Sequence, residues 1–310
     1  MDLRQLRYFA RIVELGSMTR AAADLHVAQP ALSKSVLALE AELKAALLVR
    51  SPHGVTPTDA GLRLYEHAQI ILNQLERARI DLSDVGTGPS GQVTVGMSYS
   101  VAAVLAVPLL HAAQQRLPKV RLEMFQEPRQ SLPDRILSGR IDLGVMVYPK
   151  AVVGIEQTTL VSENILFVCA PDLAATLPEP VPLQAIADLP FILPTRANSL
   201  RVLVDSLFLI HGKPLNVVHE VDAIGQFIDC VRAGLASTFL PAGCVGQAVQ
   251  DGAVATRPIG GHTLSRSVAI AHSQSNPTGR AVVEVMNLLR ELMEKAVADG
   301  TWAGARWVAP

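Results

Sequence analysis

From its first residues the chain repeats apolar positions at intervals of three and four. Leu3, Leu6, Ala10 and Val13, with Phe9 on the same side, make 3–15 an amphipathic helix. Gly16 suits the left-handed position that ends it, and Ser17 can cap the next helix through its hydroxyl. Ala21, Ala22 and Ala23 carry little bulk, so this second helix can lie close against a third. The third is expected from about Pro30, favoured in a first turn because its missing N–H has no intrahelical partner there. Its buried stripe is Leu32, Val36, Leu39 and Leu43, and its opposite face carries Gln29, Ser33, Lys34 and Ser35. Polar groups near the start of such a helix are the ones that reach base edges in a DNA major groove. An ordinary three-helix packing unit with a solvated polar face fits the same spacing.

Beyond this, LLVRSPHGVTPTDAG (47–61) places the turn Pro52-His53-Gly54 between two short extended runs, so a small β-hairpin is expected. Arg50 and His53 then sit where a hairpin wing would approach phosphates or a minor groove. Gly61, Leu64, Ala68, Ile71, Leu75, Ala78 and Leu82 follow a 3-4-3-4 spacing, a heptad seam that fits a partner helix better than a single supporting domain. At 1.5 Å per residue, 59–85 would span about 40 Å as a helix.

After the glycine-rich stretch 85–91 the texture changes. Strand candidates are 92–97, 120–126 and 141–147, with helices at 100–116 and 130–138. A second series runs through strands 165–170, 191–194, 216–221 and 237–240, with helices at 198–211 and 224–233. Strand 267–272 and a final helix 278–298 close the pattern. Strands alternating with helices imply parallel sheets. In such sheets ligands bind beyond the carboxyl ends of strands, near helix N-termini. That picks out Ser98, Tyr99 and Ser100, then Glu127 and Arg129, then Thr195 and Arg196, a set suited to a small anionic metabolite. Ser100 and Thr195 also fit a plain capping role.

Composition narrows the classes. With 310 residues, 49% of them hydrophobic, two or three domains can each bury a core. No apolar run reaches membrane-spanning length and the N-terminus is not signal-like, so a cytoplasmic protein without membrane association is expected. The net charge of −1 argues against a DNA binder globally. Local charge decides that question, and Arg4, Arg7, Arg20, Lys34, Arg50 and Arg63 supply it. Cys169, Cys230 and Cys244 form no CxxC pair and are expected as reduced packing residues. GMSYS (96–100) approaches a nucleophile elbow but ends in Ser100 instead of glycine. The histidines at 111, 211, 219, 262 and 272 show no metal spacing or triad order, and no phosphate loop occurs. No enzyme, cofactor or metal is therefore expected. A solute-binding protein would suit 91–298, but it would need export and leaves 1–85 unexplained.

The residues Ser17, Ala21, Ala22, Leu25, Gln29–Ser33, Leu39, Glu40, Leu43, Arg50, Thr58, Ala60 and Gly61 resemble, at this spacing, the LysR-type transcriptional regulators. A looser resemblance extends to SGRIDLGV (138–145) and RAGLASTFLP (232–241). ADLPFILPTR (187–196) and VHEVDA (218–223) are similar to the nitrogen-assimilation-control subgroup. Three positions depart from the family: His53 replaces a wing arginine, Ala28 a capping serine, and Lys44 a glycine.

The resemblance implies an all-α winged helix-turn-helix domain at 1–58 and a dimerising linker helix at 59–86. It further implies an α/β effector domain at 91–298 made of two Rossmann-like subdomains in a periplasmic-binding-protein arrangement. These would be 91–161 with 266–298, and 162–265, followed by a tail at 299–310. Gln29, Pro30, Ser33, Lys34, Arg50 and His53 would then contact double-stranded promoter DNA. Leu64, Ala68, Ile71, Leu75 and Leu82 would pair subunits into a homodimer that assembles to a homotetramer. A small effector in the cleft would change how the paired heads sit on the promoter, with RNA polymerase as the further partner.

Overall fold

Asp2 starts the first helix with a reciprocal cap: its carboxylate accepts from the Gln5 backbone N–H, and the Gln5 side chain accepts from the Asp2 N–H. The computed structural model describes residues 1–51, 54–83, 88–128, 130–147, 150–261, 263–275 and 279–308, with backbone alone at 76–77 and 80–83. They form two units, Met1–Gly88 with Ser138–Arg140 and Pro89–Leu137 with Ile141–Pro310.

In the first unit α1 (Leu3–Leu15), α2 (Met18–Asp24) and α3 (Gln29–Leu43) precede a hairpin of β1 (Leu48–Ser51) and β2 (Gly54–Pro57), then the long α4 (Asp59–Ser83). Phe9 and Ile12 of α1, Ala21 and Ala22 of α2, and Leu32, Val36 and Leu39 of α3 form its core with Leu47, Leu48 and Val55. The expected stripe on α3 stops one position early. Leu43 is exposed because the helix ends there, with Lys44 in the left-handed conformation at φ 52°. At the other end Ala28 occupies the N-cap and its methyl leaves the first turn without a side-chain acceptor.

The second unit begins with β3 (Gly91–Met97), α5 (Tyr99–Arg116), β4 (Val120–Gln126), α6 (Leu132–Leu137) and β5 (Leu143–Val147). A 15-residue strand, β6 (Ile155–Cys169), leads to α7 (Pro171–Thr176), α8 (Leu183–Ile186), β7 (Pro190–Leu193), α9 (Ser199–Ile210) and β8 (Asn216–Glu220). Then come α10 (Ile224–Arg232), β9 (Thr238–Pro241), α11 (Ala242–Gln250), β10 (Ala255–Arg257), β11 (Ser265–Ser273), α12 (Arg280–Ala298) and β12 (Ala305–Trp307). The sheet runs β10-β6-β11-β5-β3-β4, with β9 and β12 also paired to β6, while β7 and β8 form a separate pair.

The expectation of parallel sheets holds for β3–β4, β3–β5 and β7–β8. It fails for β6 and β11, which pair antiparallel along most of their length. One core gathers Leu160 and Val161 of β6 with Val268 and Ile270 of β11, beneath α5 and α12. Ile165 and Phe167 of β6 belong to a second core, with Leu264, Val204 and Phe208. A strand that leaves one core for the other must be matched by one that returns, and the two therefore run in opposite directions. In the second core Phe167, Phe191, Phe208 and Phe239 pack with ring centroids 5.5–6.1 Å apart. Among the described residues, no helix is long and apolar enough to cross a membrane.

The uncapped start of α3 yields a test. Ala28→Ser should add a hydroxyl acceptor to its first turn and stabilise the helix by about 0.5–2 kcal/mol. Hydrogen exchange on the intact protein should then slow at the first α3 amides, whereas unchanged exchange would mean that the turn is capped some other way.

Candidate functional sites

The turn between α2 and α3 is set by backbone chemistry. Val27 N–H donates to Ala22 O and His26 N–H to Ala23 O, with His26 left-handed at φ 54°. This double closure ends α2 sharply and turns the chain into α3. The hairpin docks on the preceding turn: Val55 N–H donates to Gly16 O at 2.9 Å, and a Cβ at Gly54 would lie 2.6 Å from that oxygen. Glu40 on α3 accepts from the N–H groups of Leu47 and Leu48, which fixes where β1 starts. Thr58 accepts from Gly61 N–H at 3.0 Å and donates to Ala46 O at 2.7 Å, so it caps α4 and ties it to the hairpin. A Cβ at Gly61 would come within 2.0 Å of Leu47 O. Several residues that stood out as a sequence pattern thus hold the hairpin and helices in one arrangement.

The face opposite the core stays open. Gln29, Pro30 and Lys34 are exposed at the start of α3, Ser33 is partly so, and Arg50 is exposed on β1. Among the described residues neither Lys34 nor Arg50 enters an ion pair, so both charges are uncommitted. Other cations are spoken for: Arg11 grips Asp24 through two 2.6 Å bonds and Glu14 at 2.8 Å, and Arg20 donates to Leu15 O. The Arg11 guanidinium holds the Asp24 carboxyl below its ordinary range. His53 lies outside the described residues. Along the α4 seam, Leu64 packs with Tyr65 against the first unit's own core, and Ala68 is buried. Leu75 is half-buried and Ile71 is exposed, while the Leu82 side chain lies outside the described residues.

In the second unit a cavity of about 460 Å³ opens beyond the carboxyl ends of β3, β4 and β7. Ser98, Tyr99, Ser100, Glu127 and Thr195, all expected here, line it. Arg129 lies outside the described residues, and Arg196 is exposed and not among the lining residues. Ser98 is the N-cap of α5 and almost wholly buried, yet its hydroxyl has no hydrogen-bond partner among the described residues. Glu127 accepts from the Ser131 hydroxyl at 3.0 Å and pairs with Arg135 at 3.2 Å. Thr195 donates its hydroxyl to Asp222, which also accepts from the Thr195 N–H. Gln130 reaches across to Ala197 O at 2.5 Å. Ile224, Phe227 and Leu240 supply an apolar wall.

Sequence reading misses the one cation among the cavity's described lining residues. Arg266 lines the cavity from β11 and donates to the Ser100 hydroxyl at 2.6 Å. Its Nε donates to Glu163 Oε1 at 2.5 Å, and both side chains are nearly excluded from solvent. Glu163 Oε2 in turn accepts from the Trp302 indole N–H at 2.8 Å. Trp302 itself is 1% exposed, and a Cβ at Gly243 would sit 2.7 Å from its ring. The tail beyond it adds β12 to the edge of β6, opposite Val161–Glu163. A paired-strand register, invisible in one sequence, brings these groups together across more than a hundred residues. Of the thiols, Cys244, which donates to Ser100 O, is pushed up to about 12 by burial and Glu163, and burial in the second core pushes Cys169 up to about 11.

Comparison with known proteins adds two family matches. Residues 3–62 match the bacterial regulatory helix-turn-helix protein, lysR family, and residues 86–294 match the LysR substrate binding domain. The nitrogen assimilation regulatory protein nac of Klebsiella aerogenes is 36% identical over 242 residues, 78% of each chain. Its counterpart from Escherichia coli (strain K12) is 35% identical over the same share. Among solved structures, full-length CbnR complexed with its target DNA has a TM-score of 0.72 at 22% identity, covering 94% of this chain and 100% of that one.

Two outcomes follow from the geometry. Trp302→Phe leaves Glu163 Oε2 buried without its donor, and should lower stability by about 1–3 kcal/mol in urea unfolding; an unchanged midpoint would mean the indole bond contributes nothing. In the folded protein at pH 8, Cys169 and Cys244 should resist iodoacetamide, because their thiolates are disfavoured until pH approaches about 11 and about 12. Labelling of either as fast as in urea would contradict that.

Proposed function

Because the chain belongs to the LysR family of bacterial regulatory helix-turn-helix proteins, we propose that it binds promoter DNA through α3 and answers to a small molecule held in the cavity of its second unit. The observation that carries this is the open start of α3, where Gln29 and Lys34 are exposed and Ser33 partly so above a buried Leu32–Val36–Leu39 stripe, and Lys34 enters no ion pair among the described residues. Gln29 and Ser33 read base edges in the major groove, and Lys34 holds a phosphate. Pro30 shapes the helix start without reading sequence by hydrogen bonds. Arg50 and His53 work from the hairpin on the backbone or minor groove.

On α4, Ile71, Leu75 and Leu82 pair two subunits, continuing the spacing of Leu64 and Ala68, which are covered within the chain itself, and two such dimers assemble on paired half-sites. Ile71, left exposed in one chain, is the kind of residue such pairing covers. The effector carries an anionic group, received by Ser98, Tyr99 and Ser100 at the start of α5 and by Arg266, with Arg129 and Arg196 as further cations. Glu127 and Thr195 complete the polar wall. The regulator works in the cytoplasm, where its promoter and RNA polymerase are, and it catalyses no reaction. An effector shifts the paired heads only by binding one arrangement better than the other.

Footprint titrations on genomic fragments selected by the protein test the reading. Gln29→Ala should lose about 1–3 kcal/mol of discrimination at one base pair. Lys34→Ala should weaken binding across sequences and reduce the salt slope by about one. Wild-type affinity and slope in both variants would refute the assignment.

A further inference from the structure

The cavity's charges do not suit a purely anionic ligand. Of its described lining residues three are charged: Arg266, Glu127 and Asp222. Arg266 is already neutralised by buried Glu163. Glu127 has Arg135 as its partner, but Asp222 is met only by the Thr195 N–H and hydroxyl, with no ion pair among the described residues. Among the described residues the wall therefore carries a carboxylate with no ion-pair partner, and a ligand bearing only negative charge would be repelled there. An ammonium would be drawn to Asp222, and Glu127, whose N–H donates to Met97 O next to Ser98, is the other carboxylate of the lining.

Other groups of the lining ask for the opposite charge. The Ser98 hydroxyl is buried in the lining with no partner among the described residues, a state that costs free energy unless a ligand completes it. It sits at the start of an 18-residue helix whose first N–H groups have no partners within the helix. Arg266, held by Glu163 and Ser100, adds its remaining donor capacity. Serine hydroxyl, helix N–H groups and a guanidinium together receive a carboxylate. Ile224, Phe227 and Leu240 add an apolar wall to the same lining.

We propose that the cavity takes a small zwitterion: a carboxylate at Ser98, Ser100 and Arg266, an ammonium at Asp222 and Glu127, and an apolar body against Ile224, Phe227 and Leu240. The inference rests on the cavity being the effector site and names the chemical class that site accepts. Amino acids and ω-amino acids are the compact molecules with these three parts, and a cavity of about 460 Å³ is of the size small-molecule sites have.

The test is calorimetry and thermal shift on the full chain with matched sets. The probes are the standard L-amino acids, β-alanine and its longer ω-amino homologues, and, for each skeleton, the acid lacking the amine and the amine lacking the acid. At least one amino acid should bind about tenfold tighter than both of its singly charged analogues. Asp222→Asn should shrink its advantage over the acid about fivefold or more, and Glu127→Gln should do the same if Asp222→Asn lowers the melting temperature. Ser98→Ala should weaken the amino acid and the acid together.

An acid that binds as well as its amino acid overturns the ammonium position and leaves the cavity as the effector site. An amine that binds equally well overturns the carboxylate position. If no probe binds, or if binding is indifferent to Ser98→Ala and Asp222→Asn, both the zwitterion and the cavity reading fall.

Discussion

The pair formed by Glu163 and Arg266 is the constraint around which the second unit is arranged. Both charges are nearly withdrawn from water where β6 and β11 pass between two cores. Such ions each carry a desolvation cost of several kcal/mol, which only close pairing and full hydrogen bonding can offset. Glu163 therefore needs Arg266 on one oxygen and Trp302 on the other, and Arg266 needs Ser100 as well. One demand fixes three things: the crossing strands, the packed tail, and the only cation among the cavity's described lining residues. Removing one partner would leave a buried charge or lone pair unmet, so these parts stand or fall together.

A comparable economy organises the first unit, although there the ties are hydrogen bonds to backbone. Glu40 and Thr58 bind the start and end of the hairpin segment to α3 and α4, and Gly16 with Gly54 lets the hairpin sit against the α1–α2 turn. These side chains and glycines spend their chemistry inward. Gln29, Lys34 and Arg50 do not, and remain available to a partner. Structure and availability are thus divided between different residues of one short motif.

Local periodicity carried the reading of the helices well. The expected helix 3–15 is α1, and α3 begins at Gln29, one residue ahead of the expected start. Ser98, Tyr99, Ser100, Glu127 and Thr195 were found from strand ends alone and do line one cavity. Register was not legible. Glu156, Gln157, Thr158 and Thr159 disguise the first half of β6, whose antiparallel partner lies more than a hundred residues on. For the same reason Arg266 fell just outside the expected strand 267–272, and Trp302 in a tail with no assigned role. Their roles exist only once Glu163 is placed between them. Asp222 was visible within VHEVDA, but its bond to Thr195 depends on the pairing of β7 with β8.

The claim on which the account depends is that the start of α3 lies in a DNA groove. A photo-crosslinking residue at position 33 of the full chain, on DNA fragments the protein itself selects, tests it directly. Covalent linkage to bases at one fixed position in each half-site is the outcome the account predicts. Linkage to the DNA from position 50 but none from position 33, or none from either at low ionic strength, would contradict it.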